Sequence, residues 1–332
     1  MTNNLNILFI LLTILGSLIS ISSSSWLIAW MGLELNMLSF VPLLAGNKSV
    51  YSTEAAMKYF IVQSAASALF IFLSIFESFF NFLFFFPFNQ SFIFFISIPL
   101  LIKLGAAPFH MWFISIFYKL DWIKCFMLMT LQKLTPLVLM MQIPLKNNFI
   151  IILSFASLVI GAMGGLTQTL IKSIIAFSSI NHLGWMLLSL ILDKMLMIWY
   201  FWFYLFMNFT IIICLLKSSI SHFNQIFNFQ SILPWSINFL SLGGLPPFLG
   251  FVPKWMIIQS LIINKMLFTS FILIFTTLIT LIFYLRLIIS AILISPITQK
   301  WIILNKSVSN FFTAFMVVVT SLGLILYNFI LT

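Results

Sequence analysis

Five ionisable side chains lie inside long apolar stretches of this sequence. Four are basic, Lys103, Lys133, Lys254 and Arg286, and the fifth is the acid Glu34. A charge at the centre of a bilayer costs about 2.5–3.5 kcal/mol on insertion scales, and residues kept there mark ion or proton pathways. A buried lysine changes its protonation state readily, whereas arginine stays charged. The pattern therefore predicts proton transfer by Glu34 and the lysines.

The alternative for each charged group is that its side chain extends to the membrane surface. This alternative suits Arg286 as well as a buried role does, because Arg286 lies toward the end of its apolar segment. It suits Glu34, Lys103 and Lys133 poorly, because each lies near the middle of its segment.

Helix-breaking residues accompany the three buried lysines. They are Gly105 and Pro108 after Lys103, Pro136 after Lys133, and Gly243, Gly244, Pro246, Pro247, Gly250 and Pro253 before Lys254. A proline inside a helix frees the carbonyl four residues earlier, so Pro108 would free Leu104 and Pro136 would free Gln132. Polar backbone at membrane depth persists only inside protein or beside water, and broken spans mark ion sites in transporters. A simple proline kink accounts for Pro136 but not for the run before Lys254.

Transmembrane helices are the elements that must hold these groups. Of the 332 residues, 63% are hydrophobic and 6% are charged, whereas about a quarter of a soluble domain is charged. The net charge of +10 is spread thinly along the chain, which excludes a basic stripe for nucleic acid. Period-two alternation is missing from the sequence, so helices rather than strands must cross the bilayer.

Apolar runs of about 20 residues are long enough to cross the hydrocarbon core. Cutting the sequence at charges, amides and prolines predicts an all-α, polytopic membrane protein with about 11 transmembrane helices. The predicted spans are 4–22, 26–46, 57–77, 91–118, 124–143, 147–166, 170–191, 195–216, 232–262, 267–294 and 308–331. The Phe-rich stretch 79–88 could lengthen the third span or form an interfacial loop.

Loop lysines predict the orientation, because they collect on the inner side of a membrane. With the N-terminus inside, the inner loops hold Lys48, Lys58, Lys119, Lys124, Lys172, Lys217, Lys300 and Lys306, and the outer loops hold Lys146, Lys194 and Lys265. We therefore expect an inside N-terminus and, after an odd number of spans, an outside C-terminus.

The order of the buried groups predicts an internal repeat. Two triplets occur, Glu34, Lys103 and Lys133, and then His182, Lys254 and Arg286. Their intervals are 69 and 30 residues in the first triplet and 72 and 32 in the second. An odd number of spans per unit would invert one unit relative to the other. Within a single membrane domain, 1–332, we expect two inverted five-helix repeats, 1–143 and 147–294, plus an extra C-terminal helix at 308–331.

Five strings in the sequence carry a family resemblance. They are Met31–Asn36, Lys103–Trp112, Leu131–Pro136, Ala176–Trp185 and Leu240–Trp255. In this order they resemble the NADH dehydrogenase subunit 2 family of the mitochondrial respiratory chain. That family is similar to cation/proton antiporter subunits, and the predicted number of spans fits its shortened animal-type form.

The resemblance implies roles for individual residues. Glu34, Lys103, Lys133 and Lys254 match the acid and the lysines of the family's proton path, and His182 matches a histidine of its central polar axis. The implied function is a core membrane subunit of respiratory NADH:ubiquinone oxidoreductase that translocates protons. Arg286 matches no family residue with such a role, so the repeat argument is weakest there.

The resemblance also implies the surroundings of the chain. It would be a multi-pass protein of the mitochondrial inner membrane, with its N-terminus in the matrix and its C-terminus in the intermembrane space. Its partners would be the lipid bilayer and the other membrane and peripheral subunits of respiratory complex I. It would not bind nucleic acid. FMN, iron–sulfur clusters and ubiquinone would belong to partner subunits, since Cys125 and Cys214 stand alone and nucleotide-binding motifs are missing from the sequence. This chain would carry protons without a redox centre.

Two other functions are compatible with the residues. The chain could be an autonomous cation/proton antiporter, or a structural membrane subunit whose buried charges fix the register of its helices. His182 could likewise be a buried histidine held by Ser178, Ser179 or a backbone carbonyl instead of a proton carrier. His110, just after Pro108, is expected to pair structurally at the helix break.

Overall fold

The computed structural model describes residues 2–46, 49–83, 94–143, 148–218, 232–294, 318–321 and 323. The regular elements in these ranges are all α-helices, because lipid offers an unpaired backbone group no hydrogen-bond partner. The prediction of an all-α membrane protein is thereby confirmed. Contacts divide the chain into two compact units, 1–153 and 154–332.

Unit 1 consists of seven described helices and the beginning of an eighth. They are α1 (Thr2–Ser22), α2 (Trp26–Ala45), α3 (Val50–Leu83), α4 (Ser97–Leu104), α5 (Met111–Phe117), α6 (Trp122–Met129), α7 (Leu131–Gln142) and the start of α8 (Asn148–Leu166). Two glycines let α1 and α2 touch backbone to backbone. A Cβ at Gly16 would lie 2.7 Å from the Asn36 nitrogen, and one at Gly32 would lie 2.6 Å from the Ser20 nitrogen. Such close crossings are typical of membrane helix pairs, because small residues allow more van der Waals contact.

Unit 2 contains the rest of α8 and five further helices among its described residues. These are α9 (Ile171–Leu192), α10 (Lys194–Ser218), α11 (Ile232–Gly243), α12 (Phe251–Ile263) and α13 (Leu267–Ile294). Helix α9 is buried along almost its whole length and forms the centre of the unit. Gly184 makes this possible, because a Cβ there would lie 2.6 Å from the Ser157 hydroxyl oxygen on α8.

Eight helical segments among the described residues are long and apolar enough to cross a membrane, and one of them, Trp122–Gln142, consists of α6 and α7 together. The predicted spans 91–118 and 232–262 are each divided into two shorter helices, α4 and α5 in one and α11 and α12 in the other. Helix α3 runs from Val50 into the Phe-rich stretch as far as Leu83, and 84–93 lie outside the described residues. Most of 308–331 lies outside them too. The number of eleven spans and the inverted repeat therefore stay predictions.

Candidate functional site

The helix that carries Lys103 ends one residue after it. Helix α4 ends at Leu104, and Gly105 takes the left-handed conformation at φ 69°. Only glycine adopts this conformation without strain. A Cβ at Gly105 would also lie 3.1 Å from Cβ of Phe113. Pro108 therefore lies in the loop after the helix and does not act inside a helix on the Leu104 carbonyl, which corrects the expectation from the sequence.

Three of the carbonyl groups at this helix end accept hydrogen bonds from nearby donors. The Leu101 and Ile102 carbonyls accept from the loop backbone, and the Trp112 indole also donates to Ile102, at 3.1 Å. The Gln63 amide on α3 donates to the Lys103 carbonyl at 3.4 Å. The polar backbone is thus buried in protein, as membrane depth requires. His110 Nδ1 pairs with the Pro108 carbonyl at 3.1 Å, which confirms its structural role.

Lys133 is the most buried of the three lysines, with 1% of its surface exposed. Its ammonium lies 4.8 Å from the centroid of the Phe113 ring, within the range of a cation–π interaction. The helix interruption beside it lies at Thr130, three residues before the lysine. Thr130 has φ −111° and ψ −80°, and this conformation separates α6 from α7. Helix α7 continues through Pro136 to its end, so the interruption is not where the sequence places it.

Glu34 and Lys103 interact through space rather than by direct contact. The Ser67 hydroxyl on α3 donates to Glu34 Oε1 at 2.6 Å. The Glu34 carboxylate acts electrostatically on Lys103, whose side chain is buried. The ion pairs of 4.0 Å or less between described residues do not include this pair. A carboxylate and an amine at such a separation attract each other without being locked together.

A chain of three polar side chains ties the surrounding helices together. The Tyr59 hydroxyl on α3 donates to Gln132 Oε1 at 2.8 Å, and Gln132 Nε2 donates to Asn36 Oδ1 on α2 at 2.9 Å. Gln132 immediately precedes Lys133 on α7. The bonds therefore fix α7 against α2 and α3 at the residue next to the buried amine.

In unit 2 the lysine itself closes the helix break. Helix α11 ends at Gly243, and Gly244 takes the left-handed conformation at φ 79°. Lys254, one helix later, donates from Nζ to the Gly243 carbonyl at 2.9 Å and to the Leu242 carbonyl at 3.3 Å. A cation is favourable at a helix C-terminus, where the carbonyl dipoles point outward. The break is covered by the short described piece 318–321, because the Leu249 N–H donates to the Thr320 carbonyl at 3.0 Å.

His182 lies in the middle of the buried helix α9. Its Nδ1 is 2.8 Å from the Tyr200 hydroxyl on α10, and 4% of the residue is exposed. The Ser178 and Ser179 hydroxyls donate instead to backbone carbonyls of their own helix, those of Ile175 and Ala176. The hydrogen-bond partner of Nδ1 therefore comes from a different helix.

A small polar cavity joins His182 to Lys254. It offers about 10 Å³ to the centres of water molecules, close to the space that one water needs. It is lined by Ser178, Asn181, His182, Trp185, Leu242, Lys254, Thr280 and Tyr284. Asn181 Oδ1 and Trp185 Nε1 are buried without a hydrogen-bond partner among the described residues. One is an acceptor and the other a donor, so a single water could serve both.

Arg286 lies apart from these groups. Its side chain is exposed, and the guanidinium donates from Nη1 to the Leu166 carbonyl and from Nη2 to the Gln168 carbonyl, both at 2.7 Å. It therefore caps the C-terminal end of α8. The repeat argument places Arg286 in the position of Lys133, and this part of it is wrong.

Glu77 is a buried acid that the sequence argument misses. It lies near the end of α3 with 8% of its surface exposed, and Oε2 has no hydrogen-bond partner among the described residues. The predicted third span ends at this residue, so the sequence assigns it to the interface. The signal available was an acid within an apolar run, the same signal that identifies Glu34.

Charged side chains gather at one end of unit 1. Glu54 forms ion pairs with Lys58 and Lys119, the first at 2.8 Å. The hydrogen bond from Lys119 to this carboxylate raises the pKa of Lys119, which lies outside the spans. Lys124 donates to the Leu44 carbonyl at 3.0 Å. These three lysines all belong to the loops predicted to lie inside.

Comparison with known proteins provides independent information on the chain. Residues 23–280 match the family described as NADH:quinone oxidoreductase/Mrp antiporter, TM. An NADH-ubiquinone oxidoreductase chain 2 of Aedes aegypti is 47% identical over 333 residues, which cover 98% of this chain and 97% of that protein. One of Anopheles gambiae is 42% identical over 307 residues, 91% of this chain and 90% of that protein.

The fold also resembles that of a solved respiratory protein. A chain of respiratory complex I from Thermus thermophilus superimposes with a TM-score of 0.77, 21% identity and coverage of 86% of this chain and 70% of that one. At this identity the match speaks for the fold alone.

Proposed function

Because this chain belongs to the NADH:quinone oxidoreductase/Mrp antiporter family of membrane proteins, we propose that Glu34, Lys103, Lys133, His182 and Lys254 carry the protons that it translocates. The chain is a proton-translocating membrane subunit of respiratory NADH–ubiquinone oxidoreductase and a multi-pass inner-membrane protein. The proposal assigns that activity to particular side chains. The observation that carries it is the Lys254 amine, buried at a helix break and facing the same polar cavity as His182.

In unit 1 the proposed carriers are one acid and two amines. Glu34 in its ionised form holds the Lys103 proton by attraction across space, and weakening of this attraction releases the proton toward Lys133. Lysine suits the role because its protonation changes readily when it is buried. The contacts of Phe113 and Gln132 support this assignment, since they hold Lys133 in a buried position rather than at the membrane surface.

In unit 2 the proposed carriers are His182 and Lys254. The cavity between them has room for about one water, which is enough to bridge groups that do not touch. Lys254 in its charged form donates to two carbonyls, and the neutral amine has a lone pair that can accept a proton from the cavity. Each unit thus pairs a buried amine at or beside an interrupted helix with a second titratable group.

The proposal also covers partners and orientation. Electron transfer would take place in other subunits that hold FMN, iron–sulfur clusters and ubiquinone, and this chain would carry no redox centre. The N-terminus would face the matrix and the C-terminus the intermembrane space. The cluster of Lys58, Lys119 and Lys124 at one end of unit 1 supports this orientation, because inner loops collect lysines.

The experiment replaces single lysines in the assembled complex and measures proton translocation per NADH oxidised in sealed vesicles. Lys133→Met and Lys254→Met should each lower this ratio, while Lys194→Met, at an exposed lysine, should leave it unchanged. Lys103→Arg keeps the charge but cannot release its proton, so it should fail to pump as Lys103→Met does. Normal pumping by Lys103→Arg would contradict a titrating role.

A cation/proton antiporter is the second candidate function. The description of the matching family, which also names Mrp antiporters, favours this candidate. If this function is right, the isolated chain in liposomes should exchange Na⁺ or K⁺ for protons. A purely structural role predicts instead that Glu34→Gln and Lys133→Met impair assembly and leave the pumping of assembled complexes intact.

A further inference from the structure

Tyr200 is the hydrogen-bond partner of His182 and comes from a different helix. Its hydroxyl lies 2.8 Å from Nδ1, and 1% of the residue is exposed. The Tyr200 ring is stacked on Trp185, with an interplanar angle of 9° and centroids 6.3 Å apart. The position of the hydroxyl is therefore fixed by packing. Tyr200 is not among the candidate site residues predicted from the sequence.

The chemistry of a hydroxyl matters here. A tyrosine hydroxyl both donates and accepts, whereas a carbonyl or a carboxylate only accepts. It can donate to Nδ1 of the neutral imidazole, and it can turn and accept from Nδ1–H of the imidazolium. When the neutral imidazole accepts at Nδ1 from this hydroxyl, its ring proton is on Nε2. Tyr200 thus stays bonded to His182 in both of its charge states.

The hydrogen bond to Tyr200 also bears on the direction in which the imidazole ring of His182 faces. Nδ1 meets the Tyr200 hydroxyl on α10, and Nε2 lies on the opposite side of the imidazole ring. His182 also lines a cavity whose described lining includes no residue of α10. That cavity is shared with Lys254 and has room for about one water. We propose that Tyr200 is a positioning residue for His182: its hydroxyl holds Nδ1 in both charge states and so directs Nε2 toward the cavity shared with Lys254. This inference rests on the proposed function of His182.

Other titratable side chains lie on the helices packed around His182. Among the described side chains they are Lys172 on α9 itself, Lys194, Tyr204 and Cys214 on α10, Lys254 on α12, and Tyr284 and Arg286 on α13. The described residues of α8 include no titratable side chain. Of these groups, Tyr204 has its ring centroid 5.2 Å from that of His182. Its hydroxyl is not the one that meets Nδ1.

The test is Tyr200→Phe in the assembled complex, which removes one hydroxyl and keeps the stacked ring. We expect about tenfold slower NADH-driven proton translocation, because a hydrogen bond to a charged group is lost. Loss of this hydrogen bond destabilises the charged imidazolium more than the neutral ring, so His182 gives up its proton more easily. The pH profile of pumping should therefore move by about one unit toward lower pH. Tyr204→Phe, four residues further along α10, should move neither the rate nor the profile.

His182→Gln separates this inference from the proposed function. If His182→Gln pumps like the wild type, then His182 is not a carrier and the proposed function fails at this residue. If His182→Gln is slow while Tyr200→Phe has the wild-type rate and pH profile, the positioning role of Tyr200 is overturned. A slow Tyr200→Phe with an unshifted profile would also overturn it, since that result indicates only a packing defect. Slow pumping together with the shifted profile supports it.

Discussion

The docking of Lys254 on the end of α11 can be tested by adding one methyl group. At Gly244 a Cβ would lie 2.8 Å from Lys254 Nζ and 2.9 Å from its Cδ. Alanine at this position would therefore displace the amine from the Leu242 and Gly243 carbonyls. Gly244 also has φ 79°, a conformation that costs a residue with a Cβ about 1–2 kcal/mol.

The size of the effect follows from these contacts. A hydrogen bond from a charged donor contributes about 1.5–3 kcal/mol. Each bond lost therefore lowers the population of the docked amine tenfold or more. The nearest atoms are the far end of a flexible side chain, so the protein should still fold, with the backbone strain as its main loss of stability. Proton translocation should fall about tenfold or more.

Gly243→Ala is the matched control. The two glycines are adjacent, but a Cβ at Gly243 would meet Tyr284 Cδ2 at 3.5 Å, an ordinary contact. Both variants would be assembled into the complex, and proton translocation per NADH oxidised would be measured in vesicles. We expect Gly243→Ala to pump like the wild type. Equal pumping by Gly244→Ala would refute the reasoning that proton transfer depends on the amine docked at these carbonyls.

Three further predictions concern packing and capping. Phe113→Leu should slow pumping about threefold to tenfold, because the aromatic face at Lys133 is lost. Phe117→Leu removes a neighbouring ring and should not slow pumping. Equal pumping rates in the two variants would show that the aromatic contact with Lys133 does not contribute. Arg286→Met should lower the stability of the complex by about 1 kcal/mol in thermal denaturation, because two hydrogen bonds to backbone carbonyls are lost. A pumping defect per assembled complex would contradict a purely capping role. Gly16→Leu should reduce the amount of assembled complex on native gels, because the side chain would overpack the contact between α1 and α2 at a cost of about 1–3 kcal/mol. Gly46→Ala is the control, since a Cβ there would have its nearest atom at 3.5 Å. If the two variants assembled equally well, that result would argue against the close crossing.

The helix breaks were predictable because they are local. The glycines and prolines around Lys103 and before Lys254 stand beside the residues they affect, and both breaks occur in the structure. The interruption beside Lys133 was not placed correctly. A proline inside α7 is tolerated there, while Thr130 takes its unusual conformation without any glycine or proline to indicate it.

Partners of the buried groups could not be predicted, because they are distant in sequence. Ser67 reaches Glu34 across 33 residues, and Tyr200 reaches His182 across 18. Their pairing depends on how neighbouring helices are rotated, which apolar composition on every side does not specify. The burial of Glu77 could not be predicted for the same reason.

The end of α11 already faces a positive charge, and that charge is covalently attached to the chain. Backbone carbonyls exposed by a broken span are the groups that coordinate Na⁺ in transporters. In unit 2 they are occupied by the tethered Lys254 ammonium. A free metal ion would have to expel this resident cation before it could bind, whereas a proton needs only to leave it or join it. If Lys254 carries protons as proposed, selectivity at this break would be a matter of occupancy rather than of ionic radius.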